Sequence, residues 1–228
     1  MIIPTTLKLR GAKRVAAHLP EPLQVAMKIL LNRARLMLGK FRCHEPEWRH
    51  LDRWVSRGDV VLDIGANVGW YALRLSDLVG ERGKVYAFEP VRQTMAVLRW
   101  MAAAVRWSNI ELMPFAVSDS AKIARISVPS VQGVPISGLA KLGAEGEPVE
   151  CVTVDQMYLP RLNFVKIDIE GHELAALRGM RETLIRCRPT LVVEDNDPAV
   201  GAYLAELGYS ALPRFLGSPN VVYMADHA

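Results

Sequence analysis

VVLDIGANVGW, residues 60–70, reads as a buried strand that ends in an acid and turns through glycines into a helix. Val60, Val61 and Leu62 form a short apolar run, Gly65 and Gly69 bracket the turn, and a helical pattern continues from about Val68 to Val79. A ligand approaches a backbone closely only where no Cβ intrudes, and the first turn of a helix offers unpaired N–H groups. Twenty residues beyond Gly69, the strand KVYAF (84–88) ends in Glu89. In sheets of this kind an acid there meets the ribose hydroxyls of a nucleoside.

The same alternation continues outward. Thr94 to Val105 reads as a helix, Ile110 to Met113 as a strand, Phe164 to Ile169 as a strand, and Glu173 to Arg186 as a helix. Thr190 to Val193 reads as a strand, Ala199 to Leu207 as a helix, and Tyr209 to Pro213 with Asn220 to Met224 as a closing strand pair. Strands alternating with helices predict βαβ units and a mostly parallel sheet with helices on both faces. Between them, Ala121 to Val128 reads as part of a hairpin and Val149 to Val154 as a short strand. Gln132 to Pro148, rich in Gly and Pro, reads as a mobile loop serving as a lid or substrate-facing insertion.

Charge divides the chain. Residues 1–42 hold nine Lys/Arg against Glu21 alone, a surplus of eight, so residues 43–228 carry −4 of the chain's net +4. This predicts a basic helical extension, 1–42, on an α/β domain, 43–228. Within the extension, Val25, Ile29, Leu30, Leu36 and Met37 recur at helical spacing over Leu23 to Leu38, with Gly39 as the stop. Such a helix either packs its apolar stripe on the domain or lies on an anionic membrane surface as a peripheral contact. A second helix is expected from Trp48 to Arg57, closed by Gly58. No apolar run approaches the ~20 residues that span a bilayer, and the N-terminus lacks the apolar stretch of a secretory signal. Cys43, Cys151 and Cys187 have no CxxC spacing and read as reduced thiols, so a cytoplasmic location is expected and no zinc site.

The loop distinguishes between two ligand classes. A dinucleotide needs G-x-G-x-x-G to rest its pyrophosphate on the backbone. Gly65-Ala66-Asn67-Val68-Gly69 lacks the middle glycine, and Asp63 at the strand end would repel a pyrophosphate. That carboxylate suits a cationic amino-acid group, which S-adenosylmethionine has, and which comes without a phosphate.

DIGANVGWY (63–71), AFEP (87–90), VKIDIEGHE (165–173) with Leu177 and Gly179 after it, and RPTLVVE (188–194) resemble the FkbM-type methyltransferases in order and spacing. The resemblance covers about residues 58–196. It implies a class I methyltransferase fold, a Rossmann-like, mostly parallel seven-stranded sheet. It also implies S-adenosylmethionine as cofactor and O-methylation, often of a sugar hydroxyl in a glycan, lipo-oligosaccharide or natural product. Carried over, Asp63, Gly65, Asn67 and Gly69 line the methionine side of the donor and Glu89 holds the ribose. Ser118 and Asp119, within Ala116-Val117-Ser118-Asp119, lie near the adenine.

Methyl transfer to an alcohol needs alignment and a base for a weakly acidic proton. FVKIDIEGHE places Lys166, Asp168 and Glu170 on one face of an extended strand. Asp168, Glu170 and His172 fall just past its carboxyl end, where open parallel sheets bind ligands. His172 or Glu170 is the expected base, Asp168 stands near donor and acceptor, and Lys166 holds a carboxylate by ion pairing. Against this, His172 could cap the following helix and Glu170 pair with Lys166. A second mechanism places Mg²⁺ on Asp168, Asp195 and Asn196, at adjacent strand ends. The competing functions are a nicotinamide oxidoreductase, a nucleic-acid methyltransferase and a non-catalytic binding module. No Asn/Asp-Pro-Pro-aromatic segment or Pro-Cys nucleophile is present, and the basic charge lies outside the domain, so no nucleic-acid partner is expected.

Overall fold

The computed structural model describes residues 19–131 and 134–226. Its strands are β1 (Val60–Ile64), β2 (Lys84–Phe88), β3 (Ile110–Met113), β4 (Ala116–Val117), β5 (Lys122–Ser127), β6 (Ser130–Val131) and β7 (Val134–Pro135). They continue with β8 (Lys141–Gly143), β9 (Glu147–Val152), β10 (Phe164–Ile167), β11 (Thr190–Glu194), β12 (Tyr209–Ala211) and β13 (Asn220–Ala225). A seven-stranded sheet of order β12-β13-β11-β10-β1-β2-β3 forms the centre. Its β3-β2-β1-β10-β11 run is parallel, while β13 lies antiparallel between β11 and β12, so the sheet is mixed. The expected α/β class and seven-stranded sheet are both present.

Adjacent residues of each central strand serve opposite faces. Leu62, Val165 and Leu191 join one core with Ala176, Leu177, Leu184 and Leu204. Val61, Phe164 and Val192 join another with Leu51, Leu75 and Leu98. Burial on both faces explains why these strands read as continuous apolar runs. The helices covering them are α2 (Trp70–Val79), α3 (Arg92–Ala102), α4 (Glu173–Arg178), α5 (Arg181–Cys187) and α6 (Pro198–Glu206). Before them, α1 (Glu21–Met37) sets Val25, Ile29 and Leu36 against Leu73, Val97 and Met101. The basic residues Lys8, Arg10, Lys13 and Arg14 lie outside the described residues.

Three local expectations are corrected. The helix expected over Trp48–Arg57 is a 3₁₀ helix, Pro46–Arg53, because Trp54 closes the turn onto Leu51 and Gly58 donates instead to the Val79 carbonyl of α2. Much of the expected mobile loop is ordered strand. β5 pairs with β9 and β8, and β9 with β4, in a four-stranded sheet beside the first, while β6 and β7 form a small hairpin. Gly146, at φ +111, makes the turn between β8 and β9. Residues 132–133 lie outside the described residues.

The third correction is the helix expected over Glu173–Arg186, which is two helices broken at Gly179 and Met180. A Cβ on Gly179 would stand 1.9 Å from the Ser118 carbonyl oxygen, so the chain from β4 presses on this point. The Asp155 carboxylate then starts α5 afresh, accepting from the Glu182 and Thr183 N–H groups at 3.1 and 2.8 Å. Gly179→Ala is therefore expected to cost about 3 kcal/mol by forced backbone displacement. In a thermal melt this is a fall on the order of 10 °C; an unchanged midpoint would refute the close approach.

Candidate active site

The carboxyl ends of β1, β2, β10 and β11 open into one cavity of about 330 Å³, a size ordinary for a small-ligand site. Asp63, Gly65, Asn67 and Glu89, from the ends of β1 and β2, line it together with Asp168, Glu170, His172 and Glu194, from the ends of β10 and β11. The β4 residues Ala116 and Val117 line it as well, as do Ser137 and Gly138 from the segment expected to face substrate.

The turn after β1 runs through left-handed backbone at Gly65 (φ +88), Asn67 (φ +50) and Gly69 (φ +99). Gly65 is also required by the fold itself. A Cβ there would meet the Asp168 carbonyl oxygen at 1.9 Å, so the glycine lets the β1 and β10 ends close on each other. Glu89 fastens the loop: its carboxylate accepts the Asn67 N–H at 3.0 Å and the Val91 N–H at 2.8 Å. A carboxylate takes about four hydrogen bonds, which leaves capacity for two hydroxyls from a ligand.

Asp63 is 1% exposed, and its Oδ2 has no partner among the described residues. Burial pushes its carboxyl up to about 7, against the pull of Lys166. Burial likewise lifts Glu89 to about 7, against the N–H groups of Val91 and Asn67. A buried carboxylate without a partner is costly, and a cationic ligand at Oδ2 removes that cost.

The sign of the pH dependence follows. Both carboxyls have folded-state pKa values above their unfolded values, so their contribution to stability is complete in acid and is lost as pH rises towards and through about 7. A cationic ligand that needs ionised Asp63 does the opposite, binding more tightly as pH rises through that range. The melting shift produced by S-adenosylhomocysteine is expected to grow between pH 5.5 and 8. A shift independent of pH would mean that Asp63 does not face the amino group.

Lys166 is the unusual residue of β10: it is 1% exposed and its ammonium lies 3.4 Å from Asp168 and 3.9 Å from Glu45. Burial pulls it down, but Asp168, Glu45, Asp63 and Glu47 outweigh that and hold it above its ordinary value, so it remains a cation. It donates to Asn220 Oδ1 at 2.8 Å, while the Asn220 amide group donates to Glu45 at 2.8 Å and to Glu47. Glu45 also accepts from the Tyr71 hydroxyl at 2.6 Å. Asp168 is thus held by a network drawn from β10, β13, α2 and the segment before β1. The expected pairing of Lys166 with a carboxylate is found at Asp168 rather than Glu170.

Carboxylate oxygens of Asp168, Glu170 and Glu194 lie within 4.8 Å of one another. Burial, then Asp168, raises Glu194 to about 7, and the same two causes raise Glu170. The set expected for a metal is not the one gathered. The Asp195 carboxylate accepts from the Tyr223 hydroxyl, and the Asn196 amide donates to Glu194 at 3.1 Å.

His172 precedes α4 without capping it by its side chain. Glu173 closes that turn instead, accepting from Ile169 and Gly171 N–H at 3.2 and 3.0 Å. The His172 Nε2 lies 2.9 Å from Ser118 Oγ, and burial, then Lys122, lowers its pKa. Ser118 is fully buried, and Asp119 ion-pairs with Lys122 at 2.8 Å; neither lines the cavity, whose wall here is Ala116 and Val117. Sequence reasoning did not pick out Glu45, Tyr71, Asn220 or Glu194. Of these Glu194 had a signal, an acid ending the strand next to β10.

Comparison with known proteins adds a family. The Methyltransferase FkbM domain matches residues 63–211. Hexuronic acid methyltransferase AglP of Haloferax volcanii is 30% identical over 131 residues, 55% of this chain and 52% of that protein. A crystal structure of methyltransferase FkbM from Methylobacillus flagellatus KT superposes with a TM-score of 0.54 at 17% identity, over 95% of this chain and 59% of the other. The chain thus spans between half and three-fifths of the length of these relatives.

Proposed function

The chain belongs to the FkbM methyltransferase family, and on that premise we propose that it moves the methyl group of S-adenosylmethionine to a hydroxyl of a sugar, in a glycan, lipo-oligosaccharide or natural product. The observation that carries the reading is one cavity lined both by a buried acid whose Oδ2 has no partner among the described residues and by three clustered carboxylates. The similarity to a hexuronic acid methyltransferase supports a sugar acceptor.

In this reading the donor's ammonium meets Asp63, its ribose hydroxyls meet Glu89, and the loop from Gly65 to Gly69 carries the methionine side. The acceptor hydroxyl stands at Asp168, Glu170 and Glu194. A carboxylate held near neutral pKa is well matched to accept a proton at working pH, and the Asp168–Glu194 pair fits that need. Glu170 faces the same point as a second acceptor of the proton. Ser118 ties His172 by its Nε2, which makes His172 an orienting group at the cavity wall. Lys166 pairs with Asp168 and aims it. Cys43 and Glu45 are the first described residues to line the cavity, which supports a domain of 43–228. Among the described residues no helix is long and apolar enough to cross a membrane.

The test is methyl-labelled S-adenosylmethionine with a panel of hexose and hexuronic acid oligosaccharides. Label retained after mild base, as an ether, is the expected result. Label released as methanol would place the methyl on a carboxyl group instead, and transfer to RNA but to no sugar would overturn the acceptor class. The three clustered carboxylates also favour a second reading, with a divalent cation binding the acceptor hydroxyl. Activity lost in EDTA and restored by Mg²⁺ would select it.

A further inference from the structure

Helix α1 has two apolar stripes. Val25, Ile29 and Leu36 pack on the domain. Leu23, Met27, Leu30, Leu31 and Met37, with Leu38 just beyond the helix, face solvent; Leu30 is 69% exposed and Met37 81%. At 3.6 residues per turn these five cover an arc of about 120°. A surface helix ordinarily turns its polar face outward, so the second stripe is not explained by folding.

Its borders are cationic. On the helical wheel Arg33 lies along one edge and Arg35 along the other, with Lys40 and Arg42 following in sequence. Beside Arg33 stands Trp100, 54% exposed, its ring 6.0 Å from the guanidinium. Glu21, the one acid of residues 1–42, is turned the other way and ion-paired with Arg92 at 3.6 Å. Leucines and methionines edged by arginines, with a tryptophan at the margin, match a bilayer interface, where acyl chains take the apolar arc and anionic headgroups take the cations. A second copy would set like charges against each other, and a nucleic acid would leave the leucines in water.

We infer that α1 docks this protein on an anionic lipid surface, lying in the plane of the interface with Leu23, Leu30, Leu31 and Met37 immersed. Lys28 of the same helix lines a groove with Pro90 and Val91, two residues that also line the donor cavity. The docked helix therefore holds that cavity beside the lipid.

The experiment is co-sedimentation of the full chain with phosphatidylcholine vesicles, with and without phosphatidylglycerol. Wild type should pellet with the anionic vesicles alone. Leu30→Glu with Leu31→Glu, and separately Arg33→Gln with Arg35→Gln, should each weaken that binding about tenfold or more. Neither pair touches the cavity, so unchanged S-adenosylhomocysteine affinity certifies the fold of each variant and keeps this test separate from that of the enzymatic reading. Equal pelleting with neutral vesicles, or anionic binding indifferent to both pairs, would overturn the inference. So would failure of wild type to bind any vesicle, with light scattering showing a dimer if a second copy covers the stripe or a monomer if the chain itself does.

Discussion

Asp63→Asn is expected to weaken S-adenosylhomocysteine binding about 100-fold at pH 8 while leaving the unliganded protein at least as stable as wild type. The two effects have one cause. Asp63 sits fully buried with Oδ2 unpartnered among the described residues, and its carboxyl is lifted to about 7 by that burial. At pH 8 the folded protein therefore bears the cost of an ionised acid that the unfolded chain does not, and the amide removes it. In the proposed reading the complex loses the buried counter-charge of the ligand's ammonium, and truncating one partner of a buried charged pair typically costs 2–5 kcal/mol. Calorimetric titration and a thermal melt of the same variant measure both halves. A variant that binds normally, or that melts well below wild type, would mean that Asp63 serves packing. Strain of this kind, retained at a site and relieved by its ligand, is how function is commonly set against stability.

Asp168→Asn is expected to lower kcat by about 10²–10⁴-fold with donor affinity changed less than about threefold, since the proposed reading sets Asp168 at the acceptor. The variant keeps the side chain's shape but removes the negative charge paired with Lys166, the cation that Asn220 and Glu45 hold beside it. It also removes a carboxylate that helps raise Glu194, so the residual activity should lose the ionisation near neutral pH expected of the wild type. The measurement is single-turnover transfer to the acceptor found in the oligosaccharide screen, across pH 5.5 to 9. Loss of donor binding together with activity would place Asp168 on the donor side, and unchanged turnover would leave Glu170 as the base.

What the sequence reveals about this protein depends on how local the cause is. The β1 turn is legible because Asp63, Gly65, Asn67, Gly69 and Glu89 act through backbone geometry and periodicity within one βαβ unit. Strands β2 and β3 are found at their expected bounds because each is a short apolar run closed by a turn. The break at Gly179 was not legible, since it arises from a carbonyl sixty-one residues earlier and from the Asp155 carboxylate. The second sheet was legible in part: β5 and β9 fall where a hairpin and a short strand are expected, while β8 and the pairing of the strands depend on contacts across turns. Glu45 and Asn220, 175 residues apart, meet only once β13 has been inserted beside β11. Their partner Lys166 was visible as a charged residue in an apolar strand, but which carboxylate it would hold depended on that insertion.

The most direct measurement is a crystal structure of the chain soaked with S-adenosylhomocysteine. The amino group is expected at Asp63, the ribose hydroxyls at Glu89, and the sulfur facing the space between Asp168, Glu170 and Glu194. A ligand bound in the reverse sense, or with its sulfur turned away from those three carboxylates, would contradict the proposed reading.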